Sequence, residues 1–208
     1  MYKPEFRYYL ITDRKQSTRR TLVEAVAEAC RQGIRAVQLR EKGLPGRELY
    51  ELADEVRTIT LRYHARLFIN ERVDVALAVG ADGVHCPESG LAPAAVRRLS
   101  SNLLIGASTH SLKAAEQAAA GGADFLLFGP VYQTPSKMKY GDPQGISRLK
   151  AVAGAVSIPV YAVGGITPER ARPCLEAGAY GVAGISSLLQ AESIGQRAQE
   201  WKRVLGGL

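Results

Sequence analysis

Short apolar runs recur along the chain, separated by longer stretches in which apolar positions return every three to four residues. Tyr8-Tyr9-Leu10-Ile11, Leu67-Phe68-Ile69, Leu103-Leu104-Ile105 and Val160-Tyr161-Ala162-Val163 are four such runs. Their length and their β-branched or aromatic content suit buried strands. A repeated phrase marks four more, in which a helical stretch closes at glycine, a small or polar residue follows, and an apolar run begins. It reads Gly33-Ile34-Arg35-Ala36-Val37-Gln38, Gly80-Ala81-Asp82-Gly83-Val84-His85, Gly122-Ala123-Asp124-Phe125-Leu126-Leu127 and Gly178-Ala179-Tyr180-Gly181-Val182-Ala183. Each leading glycine stands where a helix end calls for a left-handed residue.

Interleaving the two sets gives eight strands, each followed by a helical stretch. Helical periodicity is clearest over 22–31, 49–61, 112–120, 148–155, 169–177 and 193–205. Strands alternating with helices predict βαβ units and a parallel sheet. Eight units predict one α/β domain over 1–208, a (β/α)8 TIM barrel at the short end of that fold's size range. An open doubly wound sheet is the other arrangement. It would carry a glycine fingerprint after the first strand, where Ile11-Thr12-Asp13-Arg14 has none.

Composition narrows the partners. Apolar residues make up 46% and charged residues 23% of 208, ordinary values for a globular domain that needs no disulfide or metal staple. No apolar run reaches membrane-spanning length and the N-terminus lacks a secretory hydrophobic region. No membrane partner is therefore expected, and the cytoplasm is the default location. Cys30, Cys86 and Cys174 are widely spaced without metal-ligand pairing; Cys30 and Cys174 fall in helical patterns as apolar fillers. The net charge is +7 and the pI near 9.4, but the cations are scattered, which argues against a nucleic-acid partner. A small anionic substrate and solvated helix faces account for them, and a homo-oligomer is left open.

In a barrel, chemistry gathers past the carboxyl ends of the strands. The polar residues found there are Thr12-Asp13, Gln38 with Arg40-Glu41-Lys42, Asn70-Glu71, His85, Ser108-Thr109-His110, the stretch 129–137, Gly164-Gly165 and Ile185-Ser186. Alternation sets Gln38, Arg40 and Lys42 on one side of an extended segment, although Arg40 and Glu41 also read as a solvated loop pair. Gly164-Gly165 ends a buried strand, and Thr167-Pro168 starts a helix with proline at its first position. Such a turn lets backbone N–H groups approach an anion. A phosphate site at the loops after strands seven and eight is common in this fold, and here it would use Gly164, Gly165, Ile185 and Ser186. His110 could relay a proton near neutral pH or simply orient the following helix. His85 reads as a packed or hydrogen-bonded residue.

Taken in order, these stretches resemble the thiamine phosphate synthase and thiazole tautomerase superfamily over nearly the whole chain. The resemblance runs through Tyr9-Leu10-Ile11-Thr12-Asp13, Gln38-Leu39-Arg40-Glu41-Lys42, Asn70-Glu71-Arg72-Val73-Asp74, Gly106-Ala107-Ser108-Thr109-His110, Thr134-Pro135-Ser136-Lys137 and Gly164-Gly165-Ile166-Thr167-Pro168. It implies a barrel whose small-molecule partner is a thiazole phosphate. In the synthase, a pyrimidine diphosphate is joined to that phosphate and pyrophosphate leaves with help from Mg²⁺ and cations. Arg40, Lys42, Ser108, Thr134 and Lys137 match the family's residues for this, and Gln38 and Asn70 fall with them as substrate-binding candidates.

The metal ligands depart from the synthase pattern. Glu71 stands where the family has aspartate, and Gly90 of Cys86-Pro87-Glu88-Ser89-Gly90 occupies the second aspartate's place. The Pro-Glu-Ser-Gly loop resembles the tautomerase branch, which needs no metal. The sequence thus leads to the expectation of a metal-independent thiazole tautomerase, with His110 as acid and base and no cofactor. The synthase, with Mg²⁺ and Glu71 as a ligand, is the alternative. A non-catalytic thiazole phosphate binder with a regulatory role is the reading from another class.

Overall fold

A computed structural model describes residues 4–134 and 142–208. All eight expected strands are present: β1 Tyr8–Ile11, β2 Ala36–Leu39, β3 Arg66–Asn70, β4 Gly83–Cys86, β5 Leu104–Thr109, β6 Phe125–Phe128, β7 Val160–Val163 and β8 Gly181–Gly184. They pair in parallel in chain order, and β8 closes on β1 with Tyr9 opposite Ala183. The result is a single-domain (β/α)8 barrel.

Around it run α1 Leu22–Arg31, α2 Gly46–Arg62, α3 Val73–Ala78, α4 Pro93–Leu99, α5 Leu112–Ala120, α6 Gly145–Ala155, α7 Pro168–Glu176, α8 Ser186–Leu189 and α9 Ile194–Leu205. The short α3, α4 and α8 repeat an apolar period too few times to be seen by periodicity. The longer helices start where their caps allow. Thr21 and Glu24 form a reciprocal capping box at α1, which then buries Leu22, Ala25, Val26, Ala29 and Cys30 against the strands. No helix among the described residues is long and apolar enough to cross a membrane.

Strand alternation divides the core in two. Tyr8, Leu10, Val37, Leu39, Leu67 and Ile69 face the helices, whereas Tyr9, Phe68, Phe125 and Tyr161 fill the barrel interior, with Phe6 beneath them. The inner rings meet edge-on, Tyr9 and Phe68 with centroids 5.3 Å apart and Phe68 and Phe125 at 5.4 Å. So much aromatic volume fits only because the barrel wall carries glycines beside it. A Cβ at Gly83 would stand 2.6 Å from the Phe68 ring, and one at Gly106 would stand 2.6 Å from Phe125.

The recurring Gly-Ala-Asp phrase also gains a meaning. Asp82 accepts the backbone N–H of Leu67 at 2.9 Å and binds Arg57 and Arg66 at 2.6 and 2.8 Å. Asp124 does the same two βα units further on, taking Ile105 N–H at 2.7 Å and Arg97 at 2.8 Å. Each aspartate fastens the start of the preceding strand at the amino end of the barrel, opposite the expected site.

Candidate active site

Four polar side chains from consecutive strands meet at the carboxyl end. The Gln38 amide donates to Asn70 Oδ1 at 3.0 Å, and Asn70 Nδ2 donates to Glu71 Oε2 at 3.0 Å. His85 Nε2 shares a 2.8 Å hydrogen bond with Ser108 Oγ. The pairing of β3 with β4 sets Asn70 beside His85, so the two pairs are neighbours. Gln38 Oε1 and His85 Nδ1 are buried without a partner; a Cβ at Gly106 would stand 2.7 Å from that nitrogen. Burial, and then the charge of Arg40, push the His85 pKa down to about 3. His85 is therefore neutral near pH 7, and the charge of Arg40 is felt at its ring. Sequence reading placed His85 as a hydrogen-bonded residue but gave no hint that its partner is Ser108.

β2 ends at Leu39, so strand alternation no longer governs Lys42, which is exposed. Glu41 is not a solvated partner of Arg40; it is buried and turned toward the loop after β1. Thiol chemistry has no foothold, because all three cysteines are buried and free. Burial raises the Cys30 and Cys86 pKa values to about 12 and about 11.

The loops after β3, β4 and β5 form the neighbouring rim. Glu71 is exposed and left-handed, with φ 61°, a rare state for a non-glycine residue. Gly90 N–H donates to the Pro87 carbonyl at 2.9 Å, closing a turn over 87–90. A Cβ at Gly90 would press on the Pro87 ring at 3.2 Å and stand 3.8 Å from Glu71 Cγ. Glu88 Oε2 accepts from the His110 backbone N–H at 2.7 Å and lies 2.6 Å from His110 Nδ1. His110 and Glu88 thus tie the β4 and β5 loops together at an exposed edge.

Across the mouth, Gly164 and Gly165 have φ of 93° and 67°. The loop after β6 lies directly on them: Val131 N–H donates to the Val163 carbonyl at 2.8 Å and Tyr132 N–H to Gly164 at 3.0 Å. A Cβ on Gly164 would stand 2.5 Å from Pro130 and one on Gly165 2.7 Å from the Gln133 carbonyl. Both glycines are required by conformation and by contact. Ile185 and Ser186 begin α8, beside a 2.8 Å hydrogen bond between Ser187 and Tyr8. Thr134 is half-buried at the end of the described stretch. Lys137 lies outside the described residues.

The profile of the family described as thiamine monophosphate synthase matches residues 8–188. A thiamine-phosphate synthase from Clostridium acetobutylicum is 39% identical over 202 residues, covering 96% of this chain and 94% of its own. The chain belongs to the thiamine monophosphate synthase family. A Geobacter sulfurreducens relative that carries the thiamine-phosphate synthase name provisionally is 52% identical over 201 residues, 96% of this chain and 94% of its own. The structure of a thiamine phosphate pyrophosphorylase from Pyrococcus furiosus superposes with a TM-score of 0.89 at 37% identity, covering 97% of this chain and 96% of that one.

These relatives overturn the expectation of a tautomerase, an isomerase with His110 as its acid and base. The Pro-Glu-Ser-Gly loop that suggested it is a turn anchored through Glu88 to His110, and its sequence records how two loops are fastened. Synthases of this family commonly use Mg²⁺, but the residues here do not build a protein-held ion site. Among the described residues no three His, Cys, Asp or Glu side chains come together to hold a metal. The undescribed stretches contain none of these residue types. Glu71 offers one carboxylate, already bound by Asn70, and Gly90 offers no side-chain oxygen.

Proposed function

We propose that this protein is a thiamine-phosphate synthase, joining a hydroxymethylpyrimidine diphosphate to a thiazole phosphate with release of pyrophosphate. The observation that carries the reading is the full-length similarity to synthases, and the mouth of the barrel suits the chemistry. The bond from the pyrimidine methylene carbon to the diphosphate breaks, its electron pair leaving with pyrophosphate. The lone pair of the thiazole nitrogen then forms the new C–N bond. Charge grows on the leaving group, so cations fixed in place before the reaction lower the barrier. Arg40, Lys42 and Lys137 are proposed for that role, and Thr134 is proposed to donate its hydroxyl to the same group.

Gln38 Oε1, with no protein partner, can accept an N–H from the pyrimidine, and Asn70 holds the glutamine amide in place. Ser108, held by neutral His85, supplies a hydroxyl without adding charge near the forming cation. Gly164, Gly165, Ile185 and Ser186 are proposed to hold the thiazole phosphate through backbone N–H groups. His110 is proposed to shape the rim through Glu88. Both substrates are small phosphates, and a cytoplasmic setting accords with such chemistry.

The test supplies both substrates with Mg²⁺ and measures thiamine phosphate and pyrophosphate together. Equal amounts of the two are expected. Thiazole phosphate binding by folded protein without either product would instead make the chain a non-catalytic binder.

A further inference from the structure

Glu41 is a carboxylate that the proposed chemistry leaves unused, yet it is only 9% exposed. Its Oε1 accepts the Thr12 hydroxyl at 2.7 Å, and its two oxygens share the Arg14 backbone N–H at 3.2 and 3.1 Å. Thr12 Oγ1 in turn accepts the backbone N–H of Arg40 at 2.9 Å. The connection therefore runs from Arg14 through Glu41 and Thr12 to Arg40. It fastens the loop after β1 to the loop after β2. Burial raises the Glu41 pKa, opposed by the bonds from Thr12 and Arg14.

A buried carboxylate is costly unless its hydrogen bonds are supplied, so the four groups hold one another in one arrangement. The charges around them make that arrangement useful. The first loop carries Arg14 and Lys15 along with Asp13, the second Arg40 and Lys42 beside Glu41 itself. Two basic segments brought together repel, and one anion at their junction offsets that repulsion. The Arg14 guanidinium lies 4.0 Å from Glu41 and stays 49% exposed, which leaves it able to meet an anion from solvent. Arg40, at the other end of the connection, acts on the buried His85 ring.

We propose that Glu41 is a positioning residue for the diphosphate: through Thr12 and Arg14 it locks the β1 and β2 loops into one cationic lip that receives the leaving group. The identity of the anion rests on the synthase reading. The connection does not touch the Gly164-Gly165 side of the mouth, so the two phosphate subsites should respond differently.

Titration calorimetry with inorganic pyrophosphate and, separately, thiazole phosphate tests this on the wild type, Glu41→Gln and Thr12→Val. Loss of a hydrogen bond to a charged group predicts about a tenfold fall in pyrophosphate affinity for Glu41→Gln. Thiazole phosphate affinity should stay within about twofold. Where turnover is present, KM for the diphosphate substrate should rise while KM for the thiazole phosphate holds. Thr12→Val, which cuts the same connection at Arg40 while keeping the carboxylate, should shift in the same direction. A merely structural Glu41 would lower thermal stability and both affinities together, and that result overturns the proposal. So does wild-type pyrophosphate affinity in both variants, or no pyrophosphate binding by the wild type. A wild type that binds pyrophosphate in this Glu41-dependent way but makes no thiamine phosphate would sink the synthase reading and leave the lip standing.

Discussion

The two ends of the barrel treat polar groups in opposite ways. At the amino end, Asp82 and Asp124 are each met by arginine and by a backbone N–H. Arg7 Nε is buried without a partner there, but its guanidinium carbon lies 4.8 Å from the Tyr180 ring centroid, a favourable position for a cation. At the carboxyl end, Gln38 Oε1 and His85 Nδ1 are buried and unanswered. An unanswered buried polar atom costs about 1–3 kcal/mol. The first end satisfies its polar groups within the fold, while the second leaves hydrogen-bonding capacity unfilled, and under the synthase reading Gln38 Oε1 is the atom that a ligand would meet.

Breaking the amino end should therefore cost stability and spare chemistry. Asp82→Ala strips two arginines and the Leu67 N–H of their shared acceptor, leaving Arg57 partly buried beside nothing. The expected loss is about 3 kcal/mol of unfolding free energy, read by urea denaturation. At temperatures where the variant is folded, KM for both substrates should match the wild type. A selective change in either KM would show that the two ends are coupled.

Removing charge from the carboxyl end should do the reverse. Arg40→Ala is expected to lower kcat/KM for the diphosphate substrate by at least about a hundredfold, in line with the loss of a preorganised group facing developing charge. Its half-buried side chain makes no hydrogen bond that the fold depends on, so the denaturation midpoint should barely move. Equal losses of stability and turnover would mean that Arg40 is part of the scaffold.

How much of this could be read from sequence follows the same division. The barrel was legible because eight apolar runs, four of them opened by a Gly-led phrase, repeat a local pattern, and the amino-end aspartates sit inside that phrase. The glycines at 164 and 165 and the polar residues past each strand were legible as a set. Their pairing was not. His85 with Ser108, and Glu41 with Thr12 and Arg14, join residues 23 to 29 apart. Such partners are chosen by the register between strands, which local spacing does not encode. The tautomerase expectation failed for a related reason: four loop residues were weighed as chemistry when Glu88 and Gly90 were serving loop packing.

Acid separates the two ends by their titration. The unfolded chain's His85 takes up a proton below about pH 6.5, whereas the folded ring refuses it until about 3 because burial, and then Arg40, disfavour its charge. Over that window the unfolded state binds more protons, so stability falls as pH drops. The loss contributed by this one group is about 1.4 kcal/mol at about pH 5.5. Asp82 behaves differently. Its burial raises the pKa, but the Leu67 N–H and the two arginines outweigh that and bring it below 3.8. Its contribution is fully present above 3.8 and fades only as pH falls further toward its folded pKa. Acid should thus weaken the carboxyl end first. Denaturation of the wild type and of His85→Gln at about pH 7.5 and about pH 5.5 checks this. The variant, lacking the imidazole, should lose about 1.4 kcal/mol less between the two. Identical losses would mean that the folded protein protonates His85 at ordinary pH, and the neutral Ser108 partner inferred for the mouth would be wrong.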